Sequence, residues 1–350
     1  MTRVAFLGTG GIARTHAKNL TACGATIVAA CGRTPEKAGA FLSAVAGRED
    51  AARGEAFGAH DFDRMLTVAR PDALYVCLPP DAHTGQAEAA AERGVHLFLE
   101  KPIALTIERA ASIVSAVERA GVRSQVGYHL RFAPTIRRLR AMLDSGDAGR
   151  PTLLQARWFC NALHSPWWRD VRRSGGQAFE QAIHLYDLAL HLLGDAEAVS
   201  AVGGNLCHTG ADDGADAYTG DDTSVATVRC AGGAAASISA SNCAIPTRWS
   251  WETRLVCSKL TAEVTSAADA TFTPYDGTSE QYNARATRPA DEVFHDPSDP
   301  YRAINADFLT AIGTGSATLA PAREGLRGVR LMTAVTTSMH AGGRQEIVAG

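Results

Sequence analysis

The first residues suited to chemistry form a glycine-rich turn directly after a short apolar run. Gly8 allows a tight turn, Gly10 lets backbone N–H groups approach a diphosphate, and Ala13 keeps the next helix close to the strand. That helix begins at Gly11 and Ile12, and its free N–H groups are suited to an anion. This G-x-G-x-x-A turn, between a strand and a helix, predicts dinucleotide binding.

The end of the second predicted strand lacks the acidic residue that usually binds the adenosine ribose in NAD sites. The chain reads Cys31-Gly32-Arg33-Thr34 at this point. Gly32 leaves room, the Arg33 guanidinium can bind a 2′-phosphate through two hydrogen bonds, and Thr34 can add another. The pattern favours NADP, with NAD as the alternative cofactor; a solvated surface arginine is the alternative interpretation of Arg33.

A third group of polar residues interrupts an otherwise apolar helix predicted over Phe179–Leu193. Glu180, His184, Asp187 and His191 follow one another at spacings of four, three and four, which places them on one helix face. Buried charges need partners or a purpose. The stripe predicts either a catalytic face or a structural hydrogen-bond network, and a metal site is a weaker alternative.

The elements that must position these residues change in type along the chain. Up to Tyr128, short apolar runs alternate with helical patterns, which predicts a doubly wound parallel sheet. The predicted strands are Val4–Leu7, Thr26–Cys31, Ala73–Leu78, Val95–Leu99 and Ser124–Tyr128. The predicted helices are Ile12–Ala22, Pro35–Val45, Asp61–Val68, His83–Glu92 and Ile107–Ala120.

Beyond Arg131 the strands follow one another without intervening helices, which predicts a mostly antiparallel sheet with one free face for a subunit partner. The predicted strands are Leu153–Phe159, Val199–Leu206, Thr223–Arg229, Ala234–Ala240, Thr253–Val256 and Leu260–Val264. The predicted helices are Thr135–Leu143, Phe179–Leu193, Ile304–Ile312 and Glu324–His340. His208–Asp222 and Asp276–Pro300 are predicted loops. We therefore expect two domains, residues 1–128 and 129–350.

Glu100-Lys101-Pro102 directly follows the predicted strand Val95–Leu99, on the side where α/β sheets bind ligands. Together with the run Asp72–His83 and with Gly175-Gly176 and His184, this motif resembles the Gfo/Idh/MocA family of oxidoreductases, over nearly the whole chain. The resemblance implies a Rossmann domain, then an α/β domain with a large, mostly antiparallel open sheet that forms homodimers or homotetramers.

The resemblance also implies roles for individual residues. Lys101 would be the catalytic lysine, and Pro79, His83 and Glu100 would lie at the cofactor. His184 would be the general acid or base, since imidazole titrates near pH ~6.5 in water. Glu180, where many inositol-dehydrogenase-like members have aspartate, would orient it. Trp168 and Arg169 resemble an element near the nicotinamide, although an interface role is equally compatible.

These residues predict hydride transfer between a nicotinamide and a secondary alcohol or ketone of a sugar or cyclitol. His184 would take the hydroxyl proton and Lys101 would stabilise the alkoxide. Three alternatives stay open: glycoside hydrolysis with a cofactor recycled in each turnover, a regulator that senses the dinucleotide without catalysis, and a reductase for nucleotide-linked sugars.

Composition excludes several other classes of protein. A net charge of −3 over 350 residues offers no basic surface for nucleic acid, and no apolar run is long enough to span a membrane. The eight cysteines show no C-x-x-C pair, so we expect buried reduced thiols and no metal site. The apolar run at the start is too short for a signal peptide, which predicts a cytoplasmic location.

Overall fold

The computed structural model describes residues 1–45, 54–160, 165–208, 217–244, 249–284 and 299–348. The chain divides into two compact units, Met1–Tyr128 with Tyr301–Leu326, and His129–Pro300 with Arg327–Gly350. None of the helices in the described ranges is long and apolar enough to cross a lipid bilayer.

The first unit is built on a six-stranded parallel sheet in the order β3-β2-β1-β4-β5-β6. Its strands are β1 Arg3–Leu7, β2 Thr26–Cys31, β3 Glu55–Phe57, β4 Ala73–Val76, β5 His96–Leu99 and β6 Ser124–Val126. Its helices are α1 Gly11–Ala22, α2 Pro35–Val45, α3 Phe62–Ala69, α4 Gln86–Glu92 and α5 Ile107–Ala120. This strand order is that of dinucleotide-binding sheets and confirms the predicted Rossmann fold.

Burial explains why these strands were visible in the sequence. All four residues of β4 are buried, as are Val4–Leu7 of β1, because helices cover both faces of a parallel sheet. Strand β3 has three residues and includes an exposed glutamate, so it carries too little hydrophobic pattern to be predicted.

Residues 301–326 pack with the first unit, whereas the predicted division at residue 128 assigned them to the second domain. The physical reason is a set of contacts with the parallel sheet. Asn305 of α10 (Pro300–Thr314) is fully buried, and the Tyr75 hydroxyl donates to its side-chain oxygen at 2.7 Å. The Val126 N–H donates to the carbonyl of Ala320 at 2.7 Å.

The second unit contains a nine-stranded sheet in the order β14-β13-β12-β11-β7-β10-β9-β8-β15. Its strands are β7 Pro151–Phe159, β8 Ala196–Gly204, β9 Thr223–Cys230, β10 Ala235–Ser241, β11 Ser250–Cys257, β12 Leu260–Val264, β13 Asp269–Pro274, β14 Glu280–Asn283 and β15 Glu346–Ile347. Strands β7 and β10 are parallel, and the other described pairs are antiparallel. The predicted mostly antiparallel open sheet is confirmed.

The helices of this unit are α6 Pro134–Asp144, α7 Pro166–Arg169, α8 Val171–Ser174 and α9 Ile183–Leu193, and α11 Ala322–His340 runs into it from residue 327. Helix α9 packs against β7 and β10. Along β9, buried residues alternate with exposed ones, as expected for a sheet with one covered face.

Two segments of the second unit were predicted to be loops, and the structure describes each of them in part. The loop predicted over Asp276–Pro300 is wrong at Glu280–Asn283, which pairs with β13 as an edge strand. Its polar sequence lacks the alternating pattern that identifies a strand. Residues 285–298 of that loop, and 209–216 of the loop predicted over His208–Asp222, lie outside the described residues.

Candidate functional site

The glycine turn of the first unit has the geometry that a diphosphate requires. Gly8 has a φ of 99°, and a Cβ there would lie 2.3 Å from the carbonyl oxygen of Cys77, so no larger residue fits. A Cβ on Gly10 or Gly11 would meet no described atom within 4 Å. Helix α1 begins with no side-chain cap and no acidic residue in its first turn. The N–H groups at this helix end therefore suit a phosphate anion.

The residues after β2 fit the adenosine end of a cofactor in part. Arg33 is exposed, which leaves its guanidinium accessible to a ligand. The Thr34 hydroxyl accepts from the Lys37 N–H at 3.4 Å, and its hydrogen bond lowers the pKa of Glu36. The Thr34 hydroxyl thus already forms hydrogen bonds at the start of α2. Gly32 is buried, and a Cβ there would lie 3.2 Å from the amide nitrogen of Ala38.

Glu100 is fixed by a chain of hydrogen bonds in which every donor can be assigned. The Tyr75 hydroxyl donates to Asn305 Oδ1, so Asn305 Nδ2 is the atom that donates to His16 Nδ1, at 3.0 Å. His16 therefore carries its proton on Nε2 and donates it to Glu100 Oε1 at 2.7 Å. The Lys101 N–H donates to Glu100 Oε2 at 3.1 Å.

The surroundings of Glu100 leave it little freedom. His16 is fully buried and Glu100 is 7% exposed. A Cβ on Gly127 would lie 2.8 Å from both carboxylate oxygens, so the backbone of the β6 end packs directly against them. The next residue, Lys101, is half-buried and precedes a cis peptide bond to Pro102.

His16 and Asn305 were missed by the sequence analysis. The signal for His16 was present, because it falls on the apolar face of α1 together with Ala13, Ala17 and Leu20. A polar residue on such a face needs a partner. Asn305 lies almost 290 residues from its partner in the sequence, and no local pattern identifies it.

His83 and Pro79, which were predicted to lie at the cofactor, belong to the segment between β4 and α4. His83 is buried, its Nδ1 lies 2.8 Å from the carbonyl oxygen of Ile103, and burial lowers its pKa. Its contact with Ile103 ties the segment before α4 to the loop after Lys101. Pro79 is half-buried and begins a 3₁₀ turn at Pro80–Ala82.

In the second unit, Glu180 and His184 lie at a change of helix type. Residues Ala178–Ala182 form a π-helical turn that leads into α9 at Ile183. Glu180 is 6% exposed within this turn, and His184 is 4% exposed in the first turn of α9. Single π-helical turns are rare and occur often at functional sites, because the wider turn re-aims side chains. The predicted continuous helix over Phe179–Leu193 is thus two helix types.

Aromatic rings hold His184 on two sides. The Trp158 ring is stacked on it with centroids 5.5 Å apart, and the His129 ring meets it edge to face at 4.3 Å. Trp249 lies 5.9 Å from Trp158 and 6.2 Å from Trp168, in edge contacts with both. We call Trp158, Trp249 and Trp168 the tryptophan row. Trp249 is 46% exposed, so the row extends from the buried histidine to the surface of this unit.

The other half of the predicted polar stripe has a structural role. Asp187 is fully buried and accepts hydrogen bonds from the Arg131 guanidinium at 3.2, 2.9 and 2.6 Å. Burial lowers the pKa of His191 to about 3, so this imidazole is neutral at physiological pH. The stripe therefore divides, and Glu180 and His184 are separated from Asp187 and His191 by their surroundings.

Asp221 forms a hydrogen bond to the first residue of the π-helical turn. Its Oδ2 accepts from the Ala178 N–H at 2.9 Å, and its Oδ1 would lie 1.9 Å from a Cβ on Gly176. Burial raises the pKa of this carboxyl to about 6. A buried acid at the start of the turn that carries Glu180 was not found from the sequence, because the loop around it has no regular pattern.

Trp168 and Arg169 belong to the short helix α7. The Trp168 indole joins the tryptophan row, and the Arg169 carbonyl accepts from the Thr219 N–H at 2.8 Å. This W-R pair is therefore linked to the segment that precedes Asp221. A role for the Arg169 side chain stays a prediction.

The fold and these sites define a dinucleotide-binding oxidoreductase of the two-unit type. Residues 2–128 match the oxidoreductase family with an NAD-binding Rossmann fold, and residues 136–263 match the Gfo/Idh/MocA C-terminal domain. The chain belongs to the Gfo/Idh/MocA family, as its motifs predicted.

Relatives with names support the same placement. The chain is 28% identical to an uncharacterised oxidoreductase, YrbE of Bacillus subtilis (strain 168), over 81% of this chain and 80% of that protein. It is 32% identical to scyllo-inositol 2-dehydrogenase (NAD(+)) of the same organism, over 57% of this chain and 56% of that protein. The match thus spans little more than half of the inositol dehydrogenase.

Among solved structures, levoglucosan dehydrogenase in complex with NADH and levoglucosan superimposes with a TM-score of 0.87 at 18% identity, over the full length of both chains. The structure of a protein described as a putative myo-inositol dehydrogenase from Sinorhizobium meliloti 1021 gives a TM-score of 0.79 at 24% identity, again over both full chains. At these identities the likeness establishes the fold.

Proposed function

We propose that this protein is an NADP(H)-preferring oxidoreductase that interconverts a secondary alcohol and a ketone on a sugar or cyclitol. The observation that carries the proposal is the environment of His184, a buried imidazole at a π-helical turn, with a carboxylic acid in that turn and a tryptophan row leading to it. Because the chain belongs to an oxidoreductase family, this imidazole can act as the acid or base in the interconversion of an alcohol and a ketone.

In the first unit, the residues fit a nicotinamide dinucleotide. The N–H groups at the start of α1 bind the diphosphate, and Glu100 binds a ribose hydroxyl from a fixed position. Arg33 pairs with the 2′-phosphate and so favours NADP(H) over NAD(H). When bound, the nicotinamide ring supplies the hydride acceptor or donor.

Lys101 and His184 perform the remaining chemistry: Lys101 supplies a positive charge, and His184 transfers a proton. The Lys101 ammonium donates to the reacting oxygen and stabilises the alkoxide charge that develops there. His184 takes the hydroxyl proton during oxidation and returns it during reduction. Glu180 orients His184 and stabilises its protonated form.

The tryptophan row supports a sugar or cyclitol as the substrate. Aromatic rings present an apolar face to the C–H groups of a pyranose or inositol ring, while the indole N–H can bind a hydroxyl. The named substrates of two similar proteins, scyllo-inositol and levoglucosan, are molecules of this shape.

We further propose that the exposed face of the second sheet forms a homodimer or homotetramer interface. Val202 of β8 and Val225 of β9 are 55% and 46% exposed and are paired in register. Exposed β-branched residues on neighbouring strands are suited to a sheet-to-sheet contact between subunits. Light scattering of the purified chain measures the assembly directly.

The test of the function is an absorbance screen with NADP⁺ and NAD⁺ across sugars, inositols and anhydrosugars, and the reverse screen with the corresponding ketones. We expect net cofactor reduction with at least one polyol, and higher kcat/KM with NADP⁺. Conversion of a substrate without net cofactor reduction would instead support a recycled cofactor. One similarity is the reason to test for that outcome. The chain is 30% identical over 152 residues to an Escherichia coli (strain K12) 2,7-anhydro-N-acetylneuraminate hydratase.

A further inference from the structure

Three side chains of types that bind metals lie close together in the second unit, and a fourth, His208, lies beside one of them. Cys207 and His208 follow β8, Asp222 precedes β9 and Cys243 follows β10. A sulfur or oxygen atom of each of Cys207, Asp222 and Cys243 lies within 4.8 Å of the others. Thiolate, imidazole and carboxylate are the groups that bind zinc in proteins.

His208 lies beside one member of this cluster. Its Nε2 lies 3.6 Å from the Sγ of Cys243. In a tetrahedral zinc site with Zn–S of about 2.3 Å and Zn–N of about 2.0 Å, the sulfur and nitrogen ligands are about 3.5 Å apart. The distance is therefore what one ion between these two atoms would require.

Asp222 organises the cluster through the backbone. It is fully buried, and its carboxylate accepts the N–H groups of Leu206, Cys207 and His208 at 3.0, 2.8 and 3.0 Å. These three hydrogen bonds fix the segment that carries two of the other donors. A metal-binding carboxylate is usually held by hydrogen bonds of this kind, which orient it for the ion.

We propose that Cys207, His208, Asp222 and Cys243 form a binding site for a divalent transition metal of the zinc class. Four protein ligands leave no open coordination position, so the site is structural rather than catalytic. The two thiols lose their protons on binding. The ion joins three chain segments next to Asp221, the residue that supports the π-helical turn, and this inference does not depend on the substrate or the cofactor.

The sequence analysis expected no metal site because the ligands do not follow a C-x-x-C pattern. The first two are adjacent, Asp222 lies 14 residues after His208, and Cys243 lies 21 residues after Asp222, next to the ends of different strands. Only the pairing of β8, β9 and β10 brings them together.

The test measures zinc in the full chain, purified with a reductant and equilibrated with zinc chloride in competition with a chromophoric chelator. We expect about one tightly held zinc per chain. Cys243→Ser should weaken zinc binding more than about 100-fold, since even indirect ligand contacts are worth 10- to 100-fold. Cys23→Ser, which changes a half-exposed thiol in the first unit, is the matched control and should bind like the wild type.

A second variant and a second ion keep the test decisive if Cys243→Ser fails to fold. His208→Ala should also weaken zinc binding, and cobalt should give intense visible bands and thiolate charge-transfer absorption in the wild type. Substoichiometric zinc in the reduced wild type, equal loss in Cys23→Ser, or a Cys207–Cys243 disulfide that persists in reductant would each overturn the proposal.

Discussion

Two buried histidines, one in each unit, show how the same side chain can serve opposite purposes. His16 of the first unit has both ring nitrogens in hydrogen bonds, one from Asn305 and one to Glu100. His184 of the second unit is held by the ring faces and edges of Trp158 and His129, in the turn that follows a π-helical segment. The first arrangement fixes a proton on one nitrogen, whereas the second fixes the plane of the ring.

This difference indicates what each unit contributes to the reaction that we propose. A histidine with hydrogen bonds at both ring nitrogens can position a neighbour, so His16 is a positioning residue for Glu100. The contacts with Trp158 and His129 fix the ring of His184 where we propose that it exchanges a proton with the substrate. Single substitutions in each unit separate these two roles.

Replacing His184 should have the largest effect. His184→Ala should lower kcat for alcohol oxidation by about 10²- to 10⁴-fold, since general base catalysis contributes that much. The rise of the rate toward alkaline pH should also be lost. His191→Gln is the matched control on the same helix, because His191 is already neutral, and its pH–rate profile should follow the wild type. Identical pH–rate profiles for the wild type, His184→Ala and His191→Gln would show that His184 has a structural role instead.

Lys101→Ala should lower kcat by about 10²- to 10³-fold, the usual effect of losing one donor to an oxyanion. Cofactor affinity should stay close to that of the wild type, because the interaction forms mainly in the transition state. Steady-state kinetics together with cofactor titration by fluorescence check both points. Lys18→Ala removes an exposed charge from the same unit and should be neutral; an active Lys101→Ala enzyme would contradict the mechanism.

Asp221→Asn should stabilise the folded protein near neutral pH. The pKa of Asp221 is raised to about 6 in the fold, so the folded state holds a proton that the unfolded state releases near pH 4. Wild-type stability should therefore fall as pH rises from about 4 through 6, by up to about 2–3 kcal/mol. The asparagine variant should lack this decline in urea unfolding at a series of pH values. Asp276→Asn, at an exposed site, should retain it.

Arg33→Ala should weaken NADP(H) binding by about 10- to 100-fold and leave NAD(H) binding nearly unchanged, because a charge-assisted hydrogen bond contributes about 1.5–3 kcal/mol. Arg119→Ala, also exposed in the first unit, is the control. Calorimetric titration with both cofactors decides the outcome. Tighter NAD(H) binding by the wild type would show that the segment Cys31–Thr34 was misinterpreted. Adding Gly32→Asp would not be a clean test of the same segment, because a Cβ there would lie 3.2 Å from the amide nitrogen of Ala38.

Shortening the chain of hydrogen bonds behind Glu100 should give a small, graded effect. His16→Ala should weaken cofactor binding by about ten-fold, Asn305→Ala less, and Tyr75→Phe least, as each removes a bond further from the carboxylate. KM for the cofactor should rise while kcat changes little, a split that a general loss of stability would not produce. Equal effects in all three variants would contradict the positioning role.

The sequence predicted most of the first unit because its motifs are local. The turn from Gly8 to Ala13 and the Glu100-Lys101 pair lie within a few residues of the strands that position them, and continuous apolar runs identify those strands. In the second unit, Glu180 and His184 were found on a helix pattern, yet the pattern also included Asp187. Only the buried Arg131 distinguishes that aspartate, and it lies 56 residues away.

The residues that the sequence did not predict depend on contacts between distant segments. Asn305 reaches His16 from the far end of the chain, and the tryptophan row combines three separate segments. Edge strand β14 has a polar sequence without alternation, and the π-helical turn has no sequence rule. Propensity and periodicity describe neighbours along the chain, and these features arise from neighbours in space.

The most direct test of the central claim follows the hydride itself. A polyol identified in the cofactor screen is prepared with deuterium on the carbon that is oxidised, and the cofactor is recovered after partial conversion and examined by mass spectrometry. The account predicts one deuterium in the reduced cofactor for each ketone formed, in the wild type and in the slow His184→Ala reaction alike. Ketone or other product formed without deuterium in the cofactor would contradict it.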